Sequence, residues 1–113
     1  MELVEQKCEP CRAGTPALSR EEAEELLEEV PMWTLKDDSI EREFRFNDFR
    51  EAIGFVNKVA EIAEAEDHHP DIHIHYNKVR LELSTHKIGG LSNNDFILAA
   101  KIDKVAGKTT IVG

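Results

Sequence analysis

Five histidines lie between residues 68 and 86 and nowhere else in the 113-residue chain. Histidine is the side chain whose ordinary pKa lies nearest neutrality, so it can both give and take protons at physiological pH. His68 and His69 are adjacent and run into Pro70; His86 follows Ser84-Thr85 and precedes Gly89-Gly90. Loops at the ends of rigid elements are where reacting groups are presented, so these three point to general acid–base chemistry. His73 and His75 alternate with Ile72 and Ile74. A His-x-His pair invites a zinc reading, but no third ligand stands at a suitable offset, and the pair is expected on the polar face of a sheet. Cys8 and Cys11 form a lone Cys-x-x-Cys with no second pair and no strand–helix context, so an inert or adventitiously metal-binding arm is expected there.

These residues need a scaffold, and the hydrophobic pattern supplies one. Residues 1–17 carry Pro10, Gly14 and Pro16 without usable periodicity and read as an irregular N-terminal arm, with any chemistry peripheral, ahead of a single domain over 18–113. Ser19 with Glu22 makes a capping box, and Ala23, Leu26, Leu27 and Val30 continue at helical spacing until Pro31. Trp33–Leu35 and Ile40–Phe46 read as two strands, the second with Ile40, Phe44 and Phe46 on one face and Glu41, Glu43 and Arg45 on the other. Asp48 with Glu51 caps a second helix whose apolar stripe runs Phe49, Ala52, Ile53, Val56, Val59, Ala60, Ala63. Ile72, Ile74 and Tyr76 alternate with His73, His75 and Asn77 as a third strand, and Asn77-Lys78 is the expected tight turn into a fourth through Val79, Leu81, Leu83 and Thr85, closed by His86. Ser92 with Asp95 opens a last helix through Phe96, Ala99, Ala100 and Ile102 to about Val105, followed by Gly107. The expected fold is therefore α+β: a four-stranded antiparallel sheet with three helices packed on one face.

Composition narrows the function classes. The hydrophobic share of 41% supports one modest core, and a formal charge of −9 would repel a nucleic-acid backbone. No apolar run approaches the ~18 residues of a membrane span, and the N-terminus lacks a secretory apolar stretch. A soluble, cytoplasmic protein, with no nucleic-acid or membrane partner, is expected.

Glu64-Ala-Glu-Asp-His68-His69-Pro70, then Tyr76-Asn77-Lys78-Val79, Ser84-Thr85-His86, Gly90-Leu91-Ser92 and Asp95 closely resemble the signature of the pterin-4a-carbinolamine dehydratase family. The resemblance extends over the order of elements from about Leu18 to Val105. It implies dehydration of a 4a-hydroxytetrahydropterin to the quinonoid dihydropterin, in the recycling of the cofactor of aromatic amino-acid hydroxylases, by imidazoles alone, with no metal or other cofactor. By the family's pattern His68 and His86 share the roles of proton donor and acceptor, in an order the sequence leaves open, His69 binds substrate and supports the site, and Glu64, Pro70, Tyr76 and Asp95 are supporting or substrate-binding residues. Glu64, one helical turn before His68, is expected to orient that ring, and Asp95 to add a polar wall, although Asp95 also fits a simple helix cap on Ser92. The resemblance further implies a homotetramer, a dimer of dimers, with an exposed edge strand as a physical route to joining sheets. Other family members resemble a transcription coactivator or an assembly chaperone, so a non-catalytic binding module is the alternative; retention of the full histidine set argues for the enzyme.

Overall fold

The computed structural model of the chain describes residues 2–9 and 14–106. Its elements are α1 (Arg20–Leu27), β1 (Thr34–Leu35), β2 (Ile40–Arg45), α2 (Phe49–Glu66), β3 (Asp71–His75), β4 (Lys78–Leu83) and α3 (Asn93–Ala106), with 3-10 turns at Leu3–Glu5 and His86–Ile88. This is the expected α+β order. All strand pairs are antiparallel and the sheet order is β1-β2-β4-β3.

Register explains the core. Phe44 stands opposite Val79 and Ile40 opposite Leu83, so side chains of one parity on β2 and β4 meet on the helical face. There they join Ala52, Phe55, Val59 and Ala63 of α2 and Phe96, Ala99 and Ile102 of α3, all buried. The ring of Phe55 lies 4.7 Å from Phe44 and 5.1 Å from Phe46, which locks α2 onto the sheet. The other parity carries charge: Arg80 pairs with Glu41 at 3.3 Å and also with Glu82, and Lys36 pairs with Glu41 at 3.4 Å. One charged residue, Arg42, shares the parity of the core. It is held by Asp103 at 2.7 Å and lies 4.3 Å over the Phe44 ring, while the Trp33 indole donates to the same carboxylate oxygen at 2.8 Å. Burial raises the Asp103 carboxyl above the usual carboxylate range in spite of these two partners.

Several expectations are corrected. Ile72 and Ile74 share the core parity, but β3 is the sheet's edge, and they remain 37% and 38% exposed. The hairpin loop is Tyr76–Asn77, not Asn77-Lys78, because His75 pairs with Lys78. Tyr76 takes the left-handed conformation there (φ 53°), and Asn77 ties the loop to β2 through reciprocal bonds with the Phe46 backbone at 3.0 and 2.8 Å. β4 ends at Leu83, so His86 opens a 3-10 turn instead of closing the strand. α1 gives way to turns after Leu27, before Pro31. Gly107 and Cys11 lie outside the described residues. The N-terminal arm is docked: Leu3 is buried in the core and Cys8 packs against it. Among the described residues no helix is long and apolar enough to cross a membrane.

Candidate active site

Two chain reversals bring the histidines together. α2 ends where Asp67 turns left-handed (φ 52°); the amide of Asp67 then reaches Glu64 O at 3.4 Å and that of His68 reaches Ala63 O at 3.2 Å. This bond pair is the Schellman close, usually built on glycine or asparagine; the short side chain of Asp67 tolerates the same geometry. It throws His68 and His69 off the end of the helix with a fixed heading. The second reversal is the loop Thr85–Gly90, closed by Thr85 N–H to Gly90 O at 2.8 Å, with Gly89 left-handed (φ 67°). Gly90 has no room for a side chain, since an added Cβ would fall 2.8 Å from that of Ala17. His86 rides this loop.

His68, His69 and His86 line one cleft of about 500 Å³, together with Cys8, Glu9, Ala65, Glu66, Asp67, Ser84, Thr85, Lys87 and Asn94. Asp95, which is not itself a lining residue, is fully buried and backs His68. One carboxylate oxygen accepts from Thr85 Oγ1 and from the Ser92 amide, both at 2.9 Å, and the other meets His68 Nε2 at 2.6 Å. Since the Thr85 proton goes to Asp95, the 2.8 Å contact between Thr85 and Ser92 hydroxyls is donated by Ser92. The buried carboxylate thus makes three hydrogen bonds, and since a carboxylate only accepts, the one to His68 is donated by Nε2. Asp95 is therefore both a cap at the start of α3 and the partner of a cleft histidine.

The pairing of the other carboxylate departs from expectation. Glu64 does not reach His68; its Oε2 lies 2.5 Å from His69 Nε2, and both side chains are about half exposed or more. The left-handed turn at Asp67 rotates the chain by one place relative to a continued helix, and that swaps the partners. Tyr76 and Pro70 are not among the cleft residues. Tyr76 stands at the far tip of the β3–β4 hairpin, about 16 Å along five extended residues, and is 66% exposed. His73 is 4.0 Å from Glu82 on the charged face of the sheet. Among the described residues no group of three or more His, Cys, Asp or Glu is arranged to hold a metal ion.

Sequence reading missed the docked N-terminal segment, whose Cys8 and Glu9 are cleft residues. Burial, with the carboxylate of Glu66 beside it, pushes the Cys8 thiol up to about 12. It also missed Thr85, Ser92 and Asn94 as supports. The Ser-Thr-His run was a signal for Thr85; nothing local announces Glu9.

Residues 16–105 match the family described as pterin 4 alpha carbinolamine dehydratase. A relative from Methylococcus capsulatus is 52% identical over 108 residues, covering 94% of this chain and 95% of its own. Another from Halorhodospira halophila is 50% identical over 105 residues, covering 91% and 96%. Both are named provisionally as pterin-4-alpha-carbinolamine dehydratases. Among solved structures, a transcriptional coactivator/pterin dehydratase from Brucella melitensis superposes with a TM-score of 0.77 at 36% identity, covering 80% of this chain and 99% of that one. A pterin dehydratase-like RuBisCO assembly factor of the alpha-carboxysome shares the fold, with a TM-score of 0.56 at 21% identity, covering 66% and 87%.

Proposed function

The chain belongs to the pterin 4 alpha carbinolamine dehydratase family, and from that membership we propose that its cleft removes water from a 4a-hydroxytetrahydropterin by histidine acid–base catalysis. The protein is accordingly an enzyme of the hydro-lyase class. In the reaction the C4a–O bond breaks, the N5–H bond breaks, and a C4a=N5 double bond forms, so that water and the quinonoid dihydropterin leave. One group must protonate the departing oxygen and another must take the N5 proton.

The observation that carries the reading is the convergence of His68, His69 and His86 on one cleft, with His68 fixed by a buried carboxylate. Because Nε2–H of His68 points at Asp95, Nδ1 presents a lone pair, which suits it to accept the N5 proton. His86, on an exposed loop, is the donor to the 4a-oxygen. His69, steadied by Glu64, binds and orients the ring system. Each positioned acid or base contributes about 10²- to 10⁴-fold, so two suffice for a large acceleration. Once reduced to the tetrahydropterin by a separate two-electron reductase, the product would again serve an aromatic amino-acid hydroxylase, which this reading sets in the cytoplasm, and no further cofactor takes part in the dehydration itself.

The test is dehydration of enzymatically generated 4a-carbinolamine. Wild-type protein should turn it over well above the buffer rate, and His68→Ala or His86→Ala should lower kcat by roughly 10²-fold or more. Turnover no faster than buffer would defeat the proposal. The alternative, a binding or assembly role, draws on the Brucella neighbour, whose name joins coactivator and dehydratase. It predicts an inert cleft in the same assay.

Assembly as a homotetramer, a dimer of dimers, belongs to the same reading. Its support here is the edge strand β3, with Ile72 and Ile74 exposed beside unpaired backbone groups.

A further inference from the structure

The cleft has a wall that contains no histidine. We propose that the N-terminal segment Glu2–Glu9 is a fixed strap forming this wall, and that the carboxylate of Glu9 binds the N–H-bearing pyrimidine edge of the pterin. The proposal rests on the dehydratase reading.

The strap is fastened along its length. Leu3 is buried in the core, and Lys101 Nζ donates to Val4 O at 3.0 Å. Glu66 Oε1 accepts from the Cys8 amide at 2.7 Å, and Asn94 makes a reciprocal pair with the Glu9 backbone at 3.0 and 2.6 Å. The clamps are joined to each other, since Lys101 lies 3.8 Å from Glu66 with both side chains largely buried. A segment held at both ends by backbone bonds presents its side chains in fixed positions, and Cys8 and Glu9 are those that line the cleft.

The chemistry of the substrate then divides between the walls. The histidines that follow α2 and that ride the Thr85–Gly90 loop serve the C4a–N5 bond. What remains of the bicyclic ring is a pyrimidinone whose ring N–H and 2-amino group stand side by side, a donor pair complementary to a carboxylate. Three carboxylates line the cleft. Glu66 is engaged by the Cys8 amide and Lys101. Asp67 sits in the turn that leads directly into His68, on the wall of the reacting atoms. Glu9 alone comes from the wall that carries no proton-transfer group.

The experiment measures KM and kcat for carbinolamines bearing a dihydroxypropyl or only a methyl group at carbon 6, in wild type, Glu9→Gln, Lys101→Met and Glu61→Gln. Glu9→Gln should raise KM about tenfold for both substrates, as loss of one charged hydrogen-bond partner implies, with kcat nearly unchanged. Lys101→Met, which unfastens the strap away from the cleft, should raise KM severalfold, and Glu61→Gln, exposed on α2 and outside both strap and cleft, should change neither constant. An unaltered KM for Glu9→Gln in a protein whose wild type is active overturns the strap proposal alone. A rise confined to the dihydroxypropyl substrate overturns the pyrimidine-edge assignment. An inactive wild type removes both this and the dehydratase reading.

Discussion

At the scale of single residues, the site's geometry is concentrated in Asp95. Its buried carboxylate accepts from Thr85, Ser92 and His68 at once, so a change there alters a ring's proton placement without touching the ring. In Asp95→Asn the amide oxygen can keep the Thr85 and Ser92 donors, but its NH2 then faces His68 Nε2 and forces the imidazole into the opposite tautomer. Nδ1 would carry a hydrogen and could no longer accept one. We expect kcat in the dehydration assay to fall by about 10²- to 10⁴-fold, with a loss of stability of roughly 1–3 kcal/mol in urea unfolding from the weakened hydrogen bonds. A variant with wild-type kcat would show that His68 is not the acceptor. Cys8 gives a second readout that is independent of activity. Its raised pKa of about 12 against an ordinary 9.0 means that the thiolate is scarce at all pH values well below 12. In a Cys11→Ser background, alkylation by iodoacetamide at pH 8 should be roughly a thousandfold slower than for an unburied thiol. A rate close to that of a free thiol would mean that the strap does not hold Cys8 against Glu66 and Asn94.

Among the elements, two short reversals matter more than the long helices that carry them. The capping bond between Asp48 and the Glu51 amide and the aromatic contacts of Phe55 set α2 in place, yet it is the left-handed close at Asp67 that aims His68 and His69. The Thr85–Gly90 loop does the same for His86. Its packing against the segment before α1 is tight: Leu18 N–H bonds Leu91 O at 2.9 Å, and an added Cβ on Gly90 would strike Ala17. Gly90→Ala therefore has to push two backbones apart. We expect it to cost about 1–3 kcal/mol in thermal or urea unfolding and to lower kcat more than His86-independent pterin binding. Wild-type stability and activity together would show that the loop can yield without moving His86.

At the scale of the whole molecule, β3 is the longer of the sheet's two edge strands. β3 is bonded on one side only, and Ile72 and Ile74 of the core parity stay more than a third exposed beside it. A second copy could continue the sheet and cover these side chains, which is the physical basis for the proposed tetramer. Sedimentation of the wild type should show an assembly larger than the monomer, and Ile74→Lys should shift it to smaller species, because a charge would be desolvated in the joint. A wild type that sediments as a monomer would refute the assembly.

The chain itself determined the order and type of the elements, since the period of its apolar residues changes from 3.6 to 2 and back where Ser19, Asp48 and Ser92 mark helix starts. It also marked out the histidines, because few residue types do proton chemistry near neutrality and these cluster where strand and helix patterns break. Partner choice was decided only in three dimensions. That Glu64 serves His69 while Asp95 serves His68 depends on a left-handed turn of one residue, which helical periodicity cannot register. Tyr76 shares the signature with the histidines but lies at the other end of the hairpin, because extended chain carries a residue away from its neighbours by about 3.3 Å per step. Glu9 reaches the cleft only because the N-terminal segment, lacking any period of its own, is pinned by Glu66, Asn94 and Lys101. Those bonds span most of the chain's length, and no local pattern encodes them.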